Sequence, residues 1–276
     1  MPQPLNSSSS FAIVVLSFNH PELTARAVTS ALALHDKVFL VHNGSEKKFV
    51  TQLENLFPNI THLKINKNLG YSGGANFGLT QAFQEHDWLI LLTNDCLMKN
   101  LPYFPRCPAF VGPHILIQKS ARTDSLGGAF VPHRGHIFHC KSEADFAQAK
   151  YKYIPGSAFL MHRNVFQATG PFDESLGTYW EDVDFSQRAL NLKFDLRVDP
   201  RWLVTHGRGK TCHKHRHYTL YLYQRNRKRI SFKYTSTLYK PILFIILWMM
   251  WIKMAIRLSL GSRRNDLKIL GRAILD

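Results

Sequence analysis

Phe11-Ala12-Ile13-Val14-Val15-Leu16-Ser17-Phe18-Asn19 is the stretch on which the fold turns: an unbroken apolar run that changes abruptly to polar residues. A run this short, without polar alternation, reads as a strand covered on both faces. The pattern recurs at Val38–Val41, closed by Asn43-Gly44, and at Trp88–Leu92, closed by Thr93-Asn94-Asp95, while His62–Ile65 is strand-like. Between these runs, Glu22–Leu34 (with Pro21 near its start), Glu46–Leu56 and Gly74–Glu85 read as helices. Strands alternating with helices predict an α/β fold with a mostly parallel sheet flanked by helices.

Beyond Asp95 the pattern is less regular. Residues 97–150, rich in Pro, Gly and His, predict irregular strands and a loop around Asp124–His139. Regular elements resume with a strand at Tyr153–His162, a helix at Asn164–Ala168 stopped by Gly170-Pro171, a helix at Glu181–Leu190 and a strand at Trp202–His206. Residues 1–10 are polar and Ser-rich and read as a flexible leader without a secretory signal. Cys96, Cys107, Cys140 and Cys212 show no CxxC spacing, which fits a reduced, cytosol-facing protein.

Charge divides the 276 residues unevenly. Of 35 Lys/Arg and 19 Asp/Glu, 17 bases but only Asp266 and Asp276 fall after residue 200. A near-neutral body therefore carries a basic end, suited to phosphate, nucleic acid or lipid headgroups. Within that end, Ile242–Ile252 is uninterruptedly apolar, with Arg225–Arg229 before it and Lys253, Arg257 and Arg263-Arg264 after it. The uncharged core is short for a bilayer span of about 20 residues, and cations on both sides disfavour a crossing. The expectation is a helical segment, residues 231–276, lying in or re-entering the cytoplasmic face of the inner membrane as a peripheral or monotopic anchor. Residues 11–230 form the globular domain.

Three polar turns, Ser17-Phe18-Asn19, Asn43-Gly44-Ser45 and Thr93-Asn94-Asp95, would share the carboxyl edge of the sheet, where open α/β sheets bind ligands. Asn68-Leu69-Gly70-Tyr71-Ser72-Gly73-Gly74-Ala75-Asn76 is a glycine-dense turn before a helix, able to bring backbone N–H groups close to a ligand, although it matches neither GxGxxG nor Walker A. Asp95 alone offers a carboxylate for Mg²⁺ or Mn²⁺. Trp180-Glu181-Asp182-Val183-Asp184 opens a helix with three acids, which either complement its dipole or supply a general base. His206-Gly207-Arg208-Gly209-Lys210 adds a histidine and two cations. Cys212, His213, His215 and His217 do not have the spacing of a structural zinc site.

Taken in order, these motifs, with Gly156-Ser157-Ala158 and Gly170-Pro171-Phe172-Asp173-Glu174, resemble the inverting glycosyltransferases of the GT-A fold, family 2. The branch they look most like is the rhamnosyltransferase-like enzymes of bacterial cell-surface polysaccharide assembly. The resemblance implies a Rossmann-like GT-A domain and a nucleotide-sugar donor, dTDP-rhamnose or a UDP-sugar. It also implies a divalent cation, Mg²⁺ or Mn²⁺, and a glycan or lipid-linked acceptor. By position, Asp182 matches the catalytic base, with Glu181 beside it, and Asp95 and His206 match the metal or diphosphate contacts. Ser17, Asn19, His42, Asn43, Asn68, Gly70, Gly74, Asn76, Asn94, Arg208 and Lys210 would serve the donor, and Gly156 and Trp180 the acceptor. Two departures stand out. His42 replaces an Asp that in the family recognises the base, so its imidazole is expected to help select the donor, and the metal motif retains Asp95 as its only carboxylate.

Two other readings compete. Tyr218, Tyr221 and Tyr223 alternate with Arg216, Arg225, Arg227 and Arg229, as in a surface that stacks bases and holds phosphates. Against RNA binding, the basic stretch runs straight into an apolar segment and contains no recognised nucleic-acid motif. An inactive glycosyltransferase-like scaffold would explain His42 and the thin metal motif, but Glu181, Asp182, Asp95 and His206 are all retained.

Overall fold

A computed structural model describes residues 10–207, 216–260 and 266–276. The first half alternates as the apolar runs require: β1 (Phe11–Ser17), α1 (Pro21–Leu32), β2 (Val38–Asn43), α2 (Lys47–Leu56), β3 (Thr61–Ile65), α3 (Gly70–Ala82) and β4 (Trp88–Thr93). There follow β5 (Cys96–Met98), β6 (Ala109–Ile117), β7 (Thr123–Leu126), β8 (Gly128–Val131), β9 (His136–His139), α4 (Glu143–Gln148), β10 (Lys152–Tyr153) and β11 (Ala158–His162). The chain continues through α5 (Arg163–Thr169), α6 (Glu181–Asn191), β12 (Asp195–His206), α7 (Arg216–Tyr234), α8 (Lys240–Leu260) and α9 (Asp266–Leu275).

The main sheet runs β3-β2-β1-β4-β11-β6-β12-β5, with β7 also paired to β6. Strands β1 to β4 are mutually parallel, and β6 and β12 point the same way because both pairings of β11 are antiparallel. Ile13 and Val15 bury against Ala27, Val28, Ala31 and Leu53, while Val14 and Leu16 bury against Ala75 and Leu79. Side chains alternate across a strand, so a helix layer on each side demands an unbroken apolar run. Helix α3 lies especially close to the sheet: a Cβ on Gly78 would stand 2.6 Å from Val41 Cγ2.

Two expectations are corrected. Residues 124–139 are not a loop but strands β7, β8 and β9, the last two pairing as a hairpin in a small sheet with β10. The predicted strand Tyr153–His162 is broken into β10 and β11 around Pro155, which has no N–H to give a ladder. That break carries Gly156 out of the sheet and toward α6.

Strand order reverses between β2-β1 and β4, so a crevice opens above the carboxyl ends of β1, β2 and β4. Strand β12 brings its last residue to the same edge, with His206 opposite Cys96. Helix α7 then crosses beside it. Its Asp184 contacts tie α6 down: that buried carboxylate meets Lys233 Nζ at 2.6 Å, Arg188 Nε at 2.8 Å and Tyr234 Oη at 2.9 Å. Burial would raise its pKa, but these donors outweigh burial and hold it below the usual carboxylate range.

Candidate active site

The crevice is a cleft of about 450 Å³ walled by Leu16, Phe18, Asn43, Asn68, Gly70, Tyr71, Thr93 and Asn94 on the sheet side, and by Thr178, Tyr179, Tyr218, Thr219 and Leu222 opposite. Its size suits a small organic ligand. Asn43 organises the floor, donating from Nδ2 to Gly70 O (2.8 Å) and accepting at Oδ1 from Leu69 N–H (3.0 Å). Asn68 Oδ1 accepts from Gly70 N–H at 2.8 Å. Gly70 has φ +72°, and a Cβ there would stand 2.7 Å from Gly177 O, so only glycine fits this turn.

Past β4, Asp95 Oδ1 accepts from Thr93 Oγ1 at 2.8 Å, while Oδ2 faces His206 Nε2 at 3.2 Å. The other side of the His206 ring faces Asp124 Oδ2 at 3.7 Å, and Asp124 Oδ1 lies 3.7 Å from His139 Nδ1. A line of alternating acids and imidazoles therefore runs Asp95–His206–Asp124–His139. Burial alone would lower the His206 pKa, but Asp124 and then Asp95 outweigh it and hold the ring at about 9. Cys96 Sγ completes a convergent group with Asp95 and His206. Burial pushes its thiol well up, so it keeps its proton. A carboxylate and an imidazole beside the cleft residues Thr93 and Asn94 are donors that suit Mg²⁺ or Mn²⁺. A buried protonated thiol adds nothing to such a site.

Glu181 and Asp182 enter α6 from a constrained approach. Gly177, Tyr179 and Trp180 have φ +70°, +74° and +74°. Two consecutive bulky residues in the left-handed region store about 1–3 kcal/mol each and persist only where the surroundings hold them. Two elements do so. From α3, Ser72 N–H donates to Gly177 O (2.9 Å) and Tyr71 N–H to Thr178 Oγ1 (3.1 Å). From α7, the two N–H groups of the buried Asn226 Nδ2 are shared among Leu176 O (2.8 Å), Thr178 O (3.1 Å) and Tyr179 O (2.8 Å), while Arg225 reaches Ser175 O (2.7 Å).

The acids then differ in solvation. Asp182 Oδ2 accepts from Gly156 N–H (3.0 Å) and Oδ1 from Val183 N–H (2.8 Å). Glu181 is buried, and its Oε2 has no partner among the described residues. Burial raises both carboxyls, and the Asp182 charge raises Glu181 further. Two backbone N–H donors favour the charged form of Asp182, and Glu181 lacks them at Oε2 and is raised further. Gly156 O in turn accepts from Tyr71 Oη, which links Asp182 to the cleft wall through one residue.

Asn43, Asn68, Gly70 and Asn94 line the cleft, Asp95 and His206 converge at its edge, and Gly156 meets Asp182. Asn19 joins two loops, donating its N–H to Ser45 Oγ and accepting at Oδ1 from Glu46 N–H. Gly74 gives close passage, since a Cβ there would lie 2.7 Å from Asn43 Nδ2. Four assignments need correction. Ser17 is on the opposite strand face from Leu16, paired with Thr24 Oγ1 at 2.7 Å. Asn76 is buried and bonded to Phe172 and Glu174. Trp180 is buried against Phe130 and Tyr223, so its ring is not presented to an acceptor.

His42 is the fourth. It faces the opposite side of β2 from Asn43 and stacks on His62, with Nε2 to His62 Nδ1 at 2.9 Å. His62 Nε2 must donate to Phe57 O, so His62 Nδ1 accepts and His42 Nε2 donates. Burial, then the neighbouring His62, lowers the His42 pKa to about 4. It is a neutral interior group and not a reader of the donor base. Arg208 and Lys210, with Cys212, His213 and His215, lie outside the described residues, and His217 pairs with Asp266 at 2.7 Å.

Asp124 and Asn226 were missed by sequence reasoning. The available signals were an acid inside a short strand and an amide in a row of cations. That row is not a free nucleic-acid face. Tyr223 packs on Tyr179, Tyr221 Oη bonds Asp276, Arg227 Nε donates to Gly135 O, and Arg229 reaches the terminal residue's carbonyl.

The model of the family described as "Glycosyl transferase family 2" matches residues 12–170. No curated protein matches the chain. Among solved structures, GalNAc-T7 with UDP, GalNAc and Mn²⁺ superposes with TM-score 0.57 at 14% identity, over 71% of this chain and 43% of its own. The mannosyltransferase PcManGT from Pyrobaculum calidifontis, in complex with GDP-Man and Mn²⁺, gives 0.53 at 12% identity, over 98% of this chain and 75% of its own. TarS of S. aureus gives 0.53 at 12% identity, over 77% of this chain and 38% of its own. At such identities the likeness is one of fold, and the chain spans less than half of the GalNAc-T7 structure.

Proposed function

This chain belongs to glycosyl transferase family 2, and on that premise we propose that it moves a sugar from a nucleoside-diphosphate donor to an acceptor hydroxyl with inversion at the anomeric carbon. The observation that carries the reading is the placement of Asp182: a carboxylate held by two backbone N–H groups beside the buried Glu181, joined through Gly156 and Tyr71 to the wall of a cleft at the sheet's carboxyl edge. Inversion needs one base on the acceptor side of the sugar and charge stabilisation on the leaving-group side. Asp182 would take the acceptor proton at Oδ2. Asn43, Asn68 and Gly70 would bind the nucleotide along the floor.

A divalent cation held by Asp95 and His206 would neutralise the charge that grows on the departing diphosphate. To serve as ligand, His206 must release the proton it shares with the two carboxylates, and Asp124 then orients the ring from behind. Removing such a support typically costs about 10–100-fold in metal affinity. Asp124→Asn is therefore expected to weaken Mn²⁺ binding by that factor, read from the free-ion signal in electron paramagnetic resonance. Unchanged affinity would place Asp124 outside the metal site.

The resemblance narrows the donor to dTDP-rhamnose or a UDP-sugar and the acceptor to a glycan or lipid-linked glycan of cell-surface polysaccharide. Thermal stabilisation and hydrolysis of dTDP-, UDP- and GDP-linked sugars, each with Mn²⁺, test the donor directly. A pyrimidine donor should stabilise the protein and be hydrolysed slowly. Equal or stronger effects from GDP-sugars would reject the pyrimidine assignment, and no effect from any donor would reject the transferase reading.

A further inference from the structure

Helix α8 has two apolar faces. Leu243, Leu247, Trp251 and Leu258 are buried against Phe232, Leu267, Leu270 and the hairpin turn at Gly135. Trp251 Nε1 donates to Gln224 Oε1 at 3.1 Å, fixing the helix to α7. On the opposite side Ile242, Ile245, Met249, Ile252, Ile256 and Leu260 follow one another at three- and four-residue spacing, and each is about half exposed or more. Trp248 borders this stripe on one side; Lys253 and Arg257, both exposed, border it on the other. Lys268 and Arg272 of α9 are exposed as well.

We propose that this exposed face lies in the plane of an anionic lipid bilayer, with the isoleucines among the acyl chains and Lys253 and Arg257 reaching the phosphates. Charge complementarity selects this occupant: the apolar stripe is rimmed by cations and bears no acid, the pattern of an interfacial helix. The run Thr237–Leu260 is long and apolar enough to cross a membrane. Crossing would require α8 to leave α7 and α9 and strip Gln224 of Trp251, so the helix meets lipid on one side only.

The inference is independent of the transferase reading, because its test needs no turnover. The full chain is mixed with vesicles of phosphatidylcholine alone or with phosphatidylglycerol added, and sedimented. Binding to the anionic vesicles that weakens with salt is expected, with the bound fraction falling at least about tenfold in Ile245→Glu/Ile252→Glu. That variant should keep its melting temperature and its stabilisation by nucleotide, since both positions face away from the protein. Quenching lost in Trp248→Phe should be stronger with bromine high on the lipid chains than near their ends. Failure to sediment with anionic vesicles would overturn the proposal. So would stronger quenching by deep bromine, which marks a crossing. A doubled mass in solution that the glutamate variant halves, without vesicle binding, would assign the face to a second copy of this chain.

Discussion

Asp182→Asn should lower sugar transfer by about 10²–10⁴-fold, the usual contribution of a positioned general base, while donor binding stays near that of the parent. The asymmetry follows from the geometry. Asp182 is held by two backbone N–H groups behind Gly156, whereas the cleft floor is built by Asn43, Asn68 and Gly70. The pH dependence carries a sign. Burial raises the Asp182 carboxyl, so the base gains its proton, and transfer fails, as pH falls through a value above the ordinary carboxylate range. The same shift acts on stability in the other direction: a raised carboxyl favours the folded chain while protonated, and that advantage is lost as pH rises through it. Transfer assays with saturating donor, and nucleotide titrations of both proteins, separate the two effects. Transfer at the parent's rate in the Asn variant would remove Asp182 from the chemistry.

The second large effect is expected away from the acids. Asn226→Leu deletes the amide that serves three carbonyls of the loop leading into Glu181. Leu176 O keeps Thr178 N–H and Arg225, but the Thr178 carbonyl loses its amide donor, and an unmet acceptor inside the fold costs about 1–3 kcal/mol. The freed loop can then release the left-handed geometry of Tyr179 and Trp180. A displacement of about 1 Å at a catalytic group can cost 10²-fold, so kcat should fall by about that factor with a much smaller change in donor KM. A lower melting temperature with kcat retained would show that Asn226 supports folding and not the placement of Asp182. Asn226→Asp, which keeps shape but loses the amide donors, should behave like the leucine variant.

The fold was legible where burial is two-sided. Phe11–Ser17 and Trp88–Thr93 could be strands only, because each has a helix layer to satisfy on either face. It was illegible between 97 and 150, where short strands of the small sheet carry His and Gly at positions that also suit loops. Of the site, Asp95, Asp182 and His206 could be read because strand ends and helix starts are marked locally. Strand parity decided two of the four errors: Leu16 and Asn43 face the cleft, so their neighbours Ser17 and His42 cannot, yet the sequence alone does not tell which face carries the ligand. Asp124 and Asn226 act through partners far along the chain, and no local pattern records those pairings.

Helix α7 has one face on the cleft, through Tyr218, Thr219 and Leu222, and another on α8, through Gln224. A helix shared by two surfaces can tie their equilibria together wherever each occupant favours a different placement of it. If the proposed bilayer contact changes the donor's affinity by some factor, the donor must change vesicle affinity by that same factor.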